Sequence, residues 1–178
     1  MLKKQRCSWP KDNALMIKYH DHEWGRPVHD DQLLFEFLIL EGAQAGLSWQ
    51  TVLNKRENYH QALHNFDAKK IALYDESDVA RLLANPGIIR NRLKISATIQ
   101  NAKAFLEVRK EFGSFDAYIW KFVNHKTINN KIKSIKNIPT KTKESDAMSK
   151  DLLKRGFKFT GSTICYAFMQ AVGILNVH

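Results

Sequence analysis

The apolar residues of this chain recur at helical spacing between caps and breakers, and no alternating apolar run is long enough for a sheet. That restricts the fold to the all-α class. Asp30 or Asp31 can cap a helix through Leu33, Leu34, Phe35, Phe37, Leu38 and Leu40, which Gly46 breaks. Ser48 opens a second helix toward His64. Asp75, with Asp78 at the capping-box position, starts a short helix that Asn85-Pro86-Gly87 ends. A long helix is expected from Ile88 to Lys110, and another from Gly113-Ser114 through Tyr118, Trp120 and Phe122. Residues 125–144 read as a polar loop. Helices then follow over about 145–155 and 161–174, with Gly156 at the C′ position of the first. With 178 residues and no internal repeat, the expectation is one compact helical domain over 1–178.

The junction of the last two helices, Asp151 to Cys165, is the most informative local pattern. Gly156 and Gly161 bracket Phe157 and Phe159. Gly161 lacks a Cβ and lets a phosphate approach the backbone, and the helix start at Ser162-Thr163 offers free amides and a positive dipole end. Lys154, Arg155 and Lys158 surround it. A plain helical hairpin whose glycines only turn the chain fits the same residues. The pattern resembles the helix-hairpin-helix element that holds DNA through backbone amides, here spanning about 145–174.

The charge is concentrated in the same region. The chain carries 28 basic and 18 acidic residues, a net +10, which points to a polyanion, nucleic acid before membrane. Between Lys121 and Lys158 eleven basic residues face only Glu144, Asp146 and Asp151, so +8 of the total lies there. A solvated lysine-rich loop and a phosphate-facing surface both account for it. No apolar run approaches the roughly 18 residues that span a bilayer. Met1 to Arg6 is basic with no apolar run behind it, so no signal peptide is expected. Two cysteines, Cys7 and Cys165, exclude a disulfide scaffold and a four-thiolate iron–sulfur cluster, and fit a reducing cytoplasm.

Glu41 stands at helical spacing from Leu34, Phe37 and Leu38, which turns it toward the buried face. Its neighbours Gly42, Ala43, Ala45 and Gly46 are small, leaving room for close approach. A buried carboxyl needs a partner, and a nearby arginine or amide would satisfy it without any functional meaning. Trp9, Trp24, Trp49 and Tyr19 fall in the same N-terminal region, whereas Trp120 reads as core. Those rings are core packing, or they line a pocket that sandwiches a planar, electron-poor ligand whose N–H groups Glu41 receives. An enzyme that extracts a nucleobase needs that combination.

These segments, taken in order, resemble one family. Cys7-Ser-Trp9, Tyr19-His-Asp-His-Glu-Trp-Gly25, Leu40-Glu-Gly-Ala-Gln-Ala-Gly-Leu-Ser-Trp49 and Lys55-Arg-Glu-Asn-Tyr59 are similar to bacterial 3-methyladenine DNA glycosylase I. So are Gly87-Ile-Ile-Arg90, Trp120-Lys-Phe-Val-Asn124 and Arg155-Gly-Phe-Lys-Phe-Thr-Gly-Ser-Thr-Ile-Cys-Tyr166. The similarity runs from Cys7 to His178 and is thinnest over 125–144.

The resemblance implies hydrolysis of the N-glycosidic bond of 3-methyladenine in alkylated double-stranded DNA, by a cytoplasmic enzyme expected to be a monomer. Glu41, ionised, would hydrogen-bond the base with Tyr19 assisting. Trp9 and Trp49 would contact it and Trp24 would shape the pocket. Leu47 would plug the gap in the duplex. Gly156, Lys158, Gly161 and Ser162 would meet the backbone. Other helix-hairpin-helix glycosylases carry an aspartate shortly after the hairpin, whereas Gly173 to His178 contains no acid. The family's zinc joins the two termini through two cysteines and two histidines. Cys7, His20 and His178 match three of these ligands, and the chain contains no residue matching the fourth. Two alternatives share these features: a DNA-binding module without catalysis, and a glycosylase for another alkylated purine.

Overall fold

The structure, a computed structural model, describes residues 7–132 and 134–177. His178, the expected C-terminal zinc ligand, lies outside the described residues. Asp30 caps helix α2 (Asp31–Ala43) by accepting the Leu33 N–H. Every residue from Leu34 to Ala43 in this helix is buried. A helix apolar on all sides belongs inside a protein, and α2 is the central element. It is preceded by α1 (Ala14–His22) and followed by α3 (Trp49–Asn54), α4 (Arg56–Ala62), α5 (Ala68–Ile71) and α6 (Glu76–Leu83). The chain continues through α7 (Arg92–Phe112), α8 (Phe115–Trp120), α9 (Lys143–Lys154) and α10 (Ser162–Ala171). Phe35 of α2 packs on Phe105 of α7, which packs on Phe115 of α8, which in turn meets Phe157 in the α9–α10 turn.

The capping signals are obeyed closely. Asp75 and Asp78 form the expected capping box, Ser114 caps α8, and Gly156 follows α9 at φ +90°. Asp31, the other candidate cap for α2, instead accepts the N–H groups of Phe115 and Asp116 at the start of α8.

Several boundaries differ from the sequence expectation. The long helix begins at Arg92, because Asn91 caps it and Ile88–Asn91 is held outside by Tyr59 Oη accepting the Ile89 N–H. The expected helix from Ser48 toward His64 divides at Lys55 into α3 and α4, which lets Arg56 reach back to Glu36 and Glu23. Helix α1, capped by Asn13, has no counterpart in the sequence reading; it buries only Met16 and Tyr19, too little for a clear stripe. The segment read as a polar loop contains strand β1 (Ile128–Asn129), parallel to β2 (Leu175–Asn176), and a 3-10 turn over Ile135–Asn137. Two residue pairs leave no alternating pattern to read, and their register comes from tertiary contact.

The N-terminal segment is fastened to the end of α10. Gly25 N–H donates to Ala171 O and Val28 N–H to Val172 O. Gly173, at φ +72°, lies so close to this segment that a Cβ there would stand 2.4 Å from the Arg26 carbonyl carbon. Only glycine fits both the dihedral and the space.

Candidate active site

The C-terminal turn of α2, α1, the start of α3, and α10 enclose a cavity of about 280 Å³. Tyr19 enters from α1 and Glu41 from α2. Trp49 comes from the first position of α3, which Ser48 caps through the Thr51 N–H. Trp9 and Trp24 close the N-terminal side. All five residues expected at a base pocket therefore line one cavity. Trp120 packs in the core instead, with its indole N–H donating to Val28 O.

The rings form a continuous set. Tyr19 lies 5.3 Å from Trp49, and Trp9 lies 6.3 Å from Tyr19 and 5.5 Å from Trp24, centroid to centroid. Trp9 remains 38% exposed and Trp49 only 5%, so the cavity runs from a solvent-facing ring to a buried one. The polar groups are more telling. Among the described residues four buried side-chain polar atoms have no hydrogen-bond partner, and two of them, Tyr19 Oη and Trp49 Nε1, belong to this cavity's lining. Such groups are costly to bury unless something meets them.

Glu41 is 5% exposed, and burial alone pushes its carboxyl up from 4.5 to about 8. Burial by itself thus favours the protonated carboxyl, and the expected ionised form needs a cation beside it. The arginine that could have neutralised it is committed elsewhere. Arg56 pairs with the buried Glu36 at 2.6 Å and with Glu23 at 2.7 Å. Burial also holds Tyr19 well above its ordinary pKa, with the nearby Glu41 adding to the shift.

Several wall residues escaped the sequence reading. Gln44 and Gln170 add amide groups, and Ile135 and Ile138 add apolar surface from the 3-10 turn. The isoleucines had a legible signal: an i, i+3 apolar pair inside a lysine-rich run, just before Pro139.

The remaining expected residues fall into two groups. Leu47 is 41% exposed at the tip of the α2–α3 turn, which Gly46 makes at φ +77°. Gly156, Lys158, Gly161 and Ser162 belong to the α9–α10 turn, where Gly161 precedes α10 with no side-chain cap on that helix. The Ser162 hydroxyl is engaged inside the protein by Ser145 and Asp146, so it is the Ser162 backbone amide that remains for an outside ligand.

Cys7 and His20 do meet. Cys7 Sγ lies 3.1 Å from His20 Nε2, and His20 Nδ1 lies 2.9 Å from Asp21. No cluster of three or more potential metal ligands occurs among the described residues. Cys165 is fully buried, with its thiol donating to Thr160 O, and is unavailable as a replacement ligand.

Known proteins are similar to this chain over nearly all of its length. A family model described as methyladenine glycosylase matches residues 9–178. The DNA-3-methyladenine glycosylase of Haemophilus influenzae is 51% identical over 97% of this chain and 94% of its own. DNA-3-methyladenine glycosylase 1 of Escherichia coli K12 is 52% identical over 98% and 93%. Among solved structures, 3-methyladenine DNA glycosylase I from Staphylococcus aureus, described for its recognition of 3-methyladenine, superposes with a TM-score of 0.94. It shares 34% identity over 97% of this chain and 92% of that one.

Proposed function

This chain belongs to the methyladenine glycosylase family, and on that premise we propose that it excises 3-methyladenine from alkylated DNA through the cavity around Glu41. It is a DNA glycosylase: water replaces the base at the sugar C1′, releasing free 3-methyladenine and leaving an abasic site. The observation that carries the assignment of the site is one cavity lined by the buried Glu41, on which only desolvation acts, and by Tyr19 Oη and Trp49 Nε1, both buried without a hydrogen-bond partner.

The chemistry suits this trio. Methylation at N3 gives the base a positive charge and weakens the glycosidic bond before the enzyme acts. A strong general acid is then unnecessary. Tryptophan faces attract a cationic ring by roughly 0.5–2 kcal/mol each. An opposite charge brought beside a desolvated carboxyl favours its ionised form, so the cationic base would draw Glu41 below its value of about 8 and displace its proton. Neutral adenine supplies no such compensation and leaves the sugar less readily. Discrimination thus arises in binding and again in bond cleavage.

The DNA backbone is gripped, in this proposal, at the α9–α10 turn by the amides of Gly161 and Ser162, where no side chain caps α10, with Lys158 adding charge and Gly156 turning the chain. Leu47 fills the space left by the extruded base. The substrate is double-stranded DNA, and the enzyme works as a cytoplasmic monomer. No described helix is long and apolar enough to cross a membrane. Cys7 and His20 fit a structural zinc: a cysteine sulfur and an imidazole side by side, with the second ring nitrogen held by a carboxylate, as zinc-bound histidines usually are. With His178 they would hold the ion, whose contribution is to join the termini.

Incubating the protein with methylated duplex DNA and identifying the released bases tests the function. Release of 3-methyladenine is expected. Binding without release would make the chain a DNA-binding module, and release of a different purine alone would overturn the substrate.

A further inference from the structure

Two side chains of α7, Lys94 and Asn101, are tied to the two turns that the proposed mechanism assigns to DNA, although neither takes part in the chemistry. Lys94 Nζ donates to Ala43 O at 2.9 Å and to Ala45 O at 2.6 Å. These carbonyls end α2 and begin the turn that carries Leu47. A cation there meets the negative end of the helix dipole. Its partial burial lowers the Lys94 pKa, so the ammonium is kept in place at some cost.

Asn101 lies seven residues further on, about two turns along the same face. It is buried and clasps the other turn on both sides. Its amide N–H donates to Lys158 O at 2.9 Å, and its Oδ1 accepts the Lys158 N–H at 2.7 Å. The next residue, Phe159, sits at φ +55°, a strained conformation for a side chain of its size that the surroundings must impose. Gly42, directly after Glu41, completes the junction. A Cβ there would meet Phe159 Cβ at 3.3 Å, so the α9–α10 turn rests directly on α2.

We propose that α7 is a strut whose positioning residues, Lys94 and Asn101, hold the Leu47 turn and the Lys158 turn at one fixed spacing across Gly42. Phosphate contact, plugging of the duplex and entry of the base beside Glu41 then occur in a single register. This rests on the reading of the chain as a base-extruding glycosylase. A misplacement of about 1 Å far from the chemistry can cost about 100-fold in rate, whereas binding at either separate surface tolerates it.

The test compares Lys94→Met and Asn101→Leu with the parent in three measurements. These are quenching of pocket tryptophan fluorescence by free 3-methyladenine, affinity for undamaged duplex, and single-turnover release from methylated duplex. The strut predicts the first two within about threefold of the parent and the third lower by about 30- to 100-fold, with Lys94→Arg restoring most of the loss. Parent-like release in folded variants overturns it. So does a loss of free-base binding as large as the loss of release, which would make these residues mere supports of the pocket. If either variant melts below the assay temperature, Asn101→Asp decides. It keeps the acceptor for the Lys158 N–H and loses the donor, so parent-like release from it overturns the strut and reduced release with intact base binding supports it. A parent that releases no 3-methyladenine overturns the functional reading and the strut together, which separates that failure from the others.

Discussion

Glu41 is a carboxyl placed where ionisation is costly, and that cost is measurable. Its value is about 8 in the folded protein against 4.5 for an unperturbed carboxyl. Below pH 4.5 both states hold the proton and the residue is neutral to stability. As the pH rises from 4.5 toward 8 the unfolded chain ionises first, so folding is progressively penalised, by about 5 kcal/mol once the pH exceeds the folded value. Glu41→Gln removes the titration. The melting temperature of this variant should exceed the parent's by a margin that widens between pH 4.5 and 8, while 3-methyladenine release falls by about 10- to 100-fold. A margin independent of pH would contradict the buried, unpaired carboxyl. Tyr19→Phe makes the same point through a neutral group. Removing an unpartnered buried hydroxyl should leave stability unchanged or raise it by about 1 kcal/mol, yet weaken base affinity by up to about tenfold. Parallel titrations with free 3-methyladenine and thermal melts read both effects.

At the scale of elements, helices announced by a cap and a breaker were legible, and those shaped by a neighbour were not. Asp75-Glu-Ser-Asp78 and Ser114 report local hydrogen bonds that form wherever the chain goes. The break at Lys55 reports instead a long-range demand, Arg56 reaching the buried Glu36. Glu41 illustrates both sides. Helical spacing rightly turned it inward, but α2 is buried on every side, so a stripe argument alone could not have separated Glu41 from Glu36, which is paired. The α9–α10 turn distinguishes two kinds of contact that look alike in sequence. Lys158→Ala should lower the slope of log affinity against log salt by about one for duplex DNA, because one phosphate contact is lost. Ser162→Ala should leave that slope unchanged and cost about 1 kcal/mol of stability, since its hydroxyl serves Ser145 and Asp146. Equal slopes for the parent and Lys158→Ala would remove Lys158 from the phosphate grip.

For the whole molecule, the segment after α1 is joined to the end of α10 by backbone contacts independent of any metal, through Gly25 with Ala171 and Val28 with Val172. The proposed zinc would reinforce that closure. Elemental analysis should find one zinc per chain, and a strong chelator should lower the melting temperature by several degrees. A zinc-free preparation with an unaltered melt and full activity would refute it. By itself the sequence determined the all-α class, most caps, the charge concentrated between Lys121 and Lys158, and, through ordered resemblance, the family. Those properties are local or cumulative along the chain. Only the tertiary structure decided that Glu41 lacks a cationic partner, that Ile135 and Ile138 wall the pocket, and that Lys94 and Asn101 bridge two turns. Each depends on which groups from distant segments share a low-dielectric space, and a one-dimensional pattern does not carry that information.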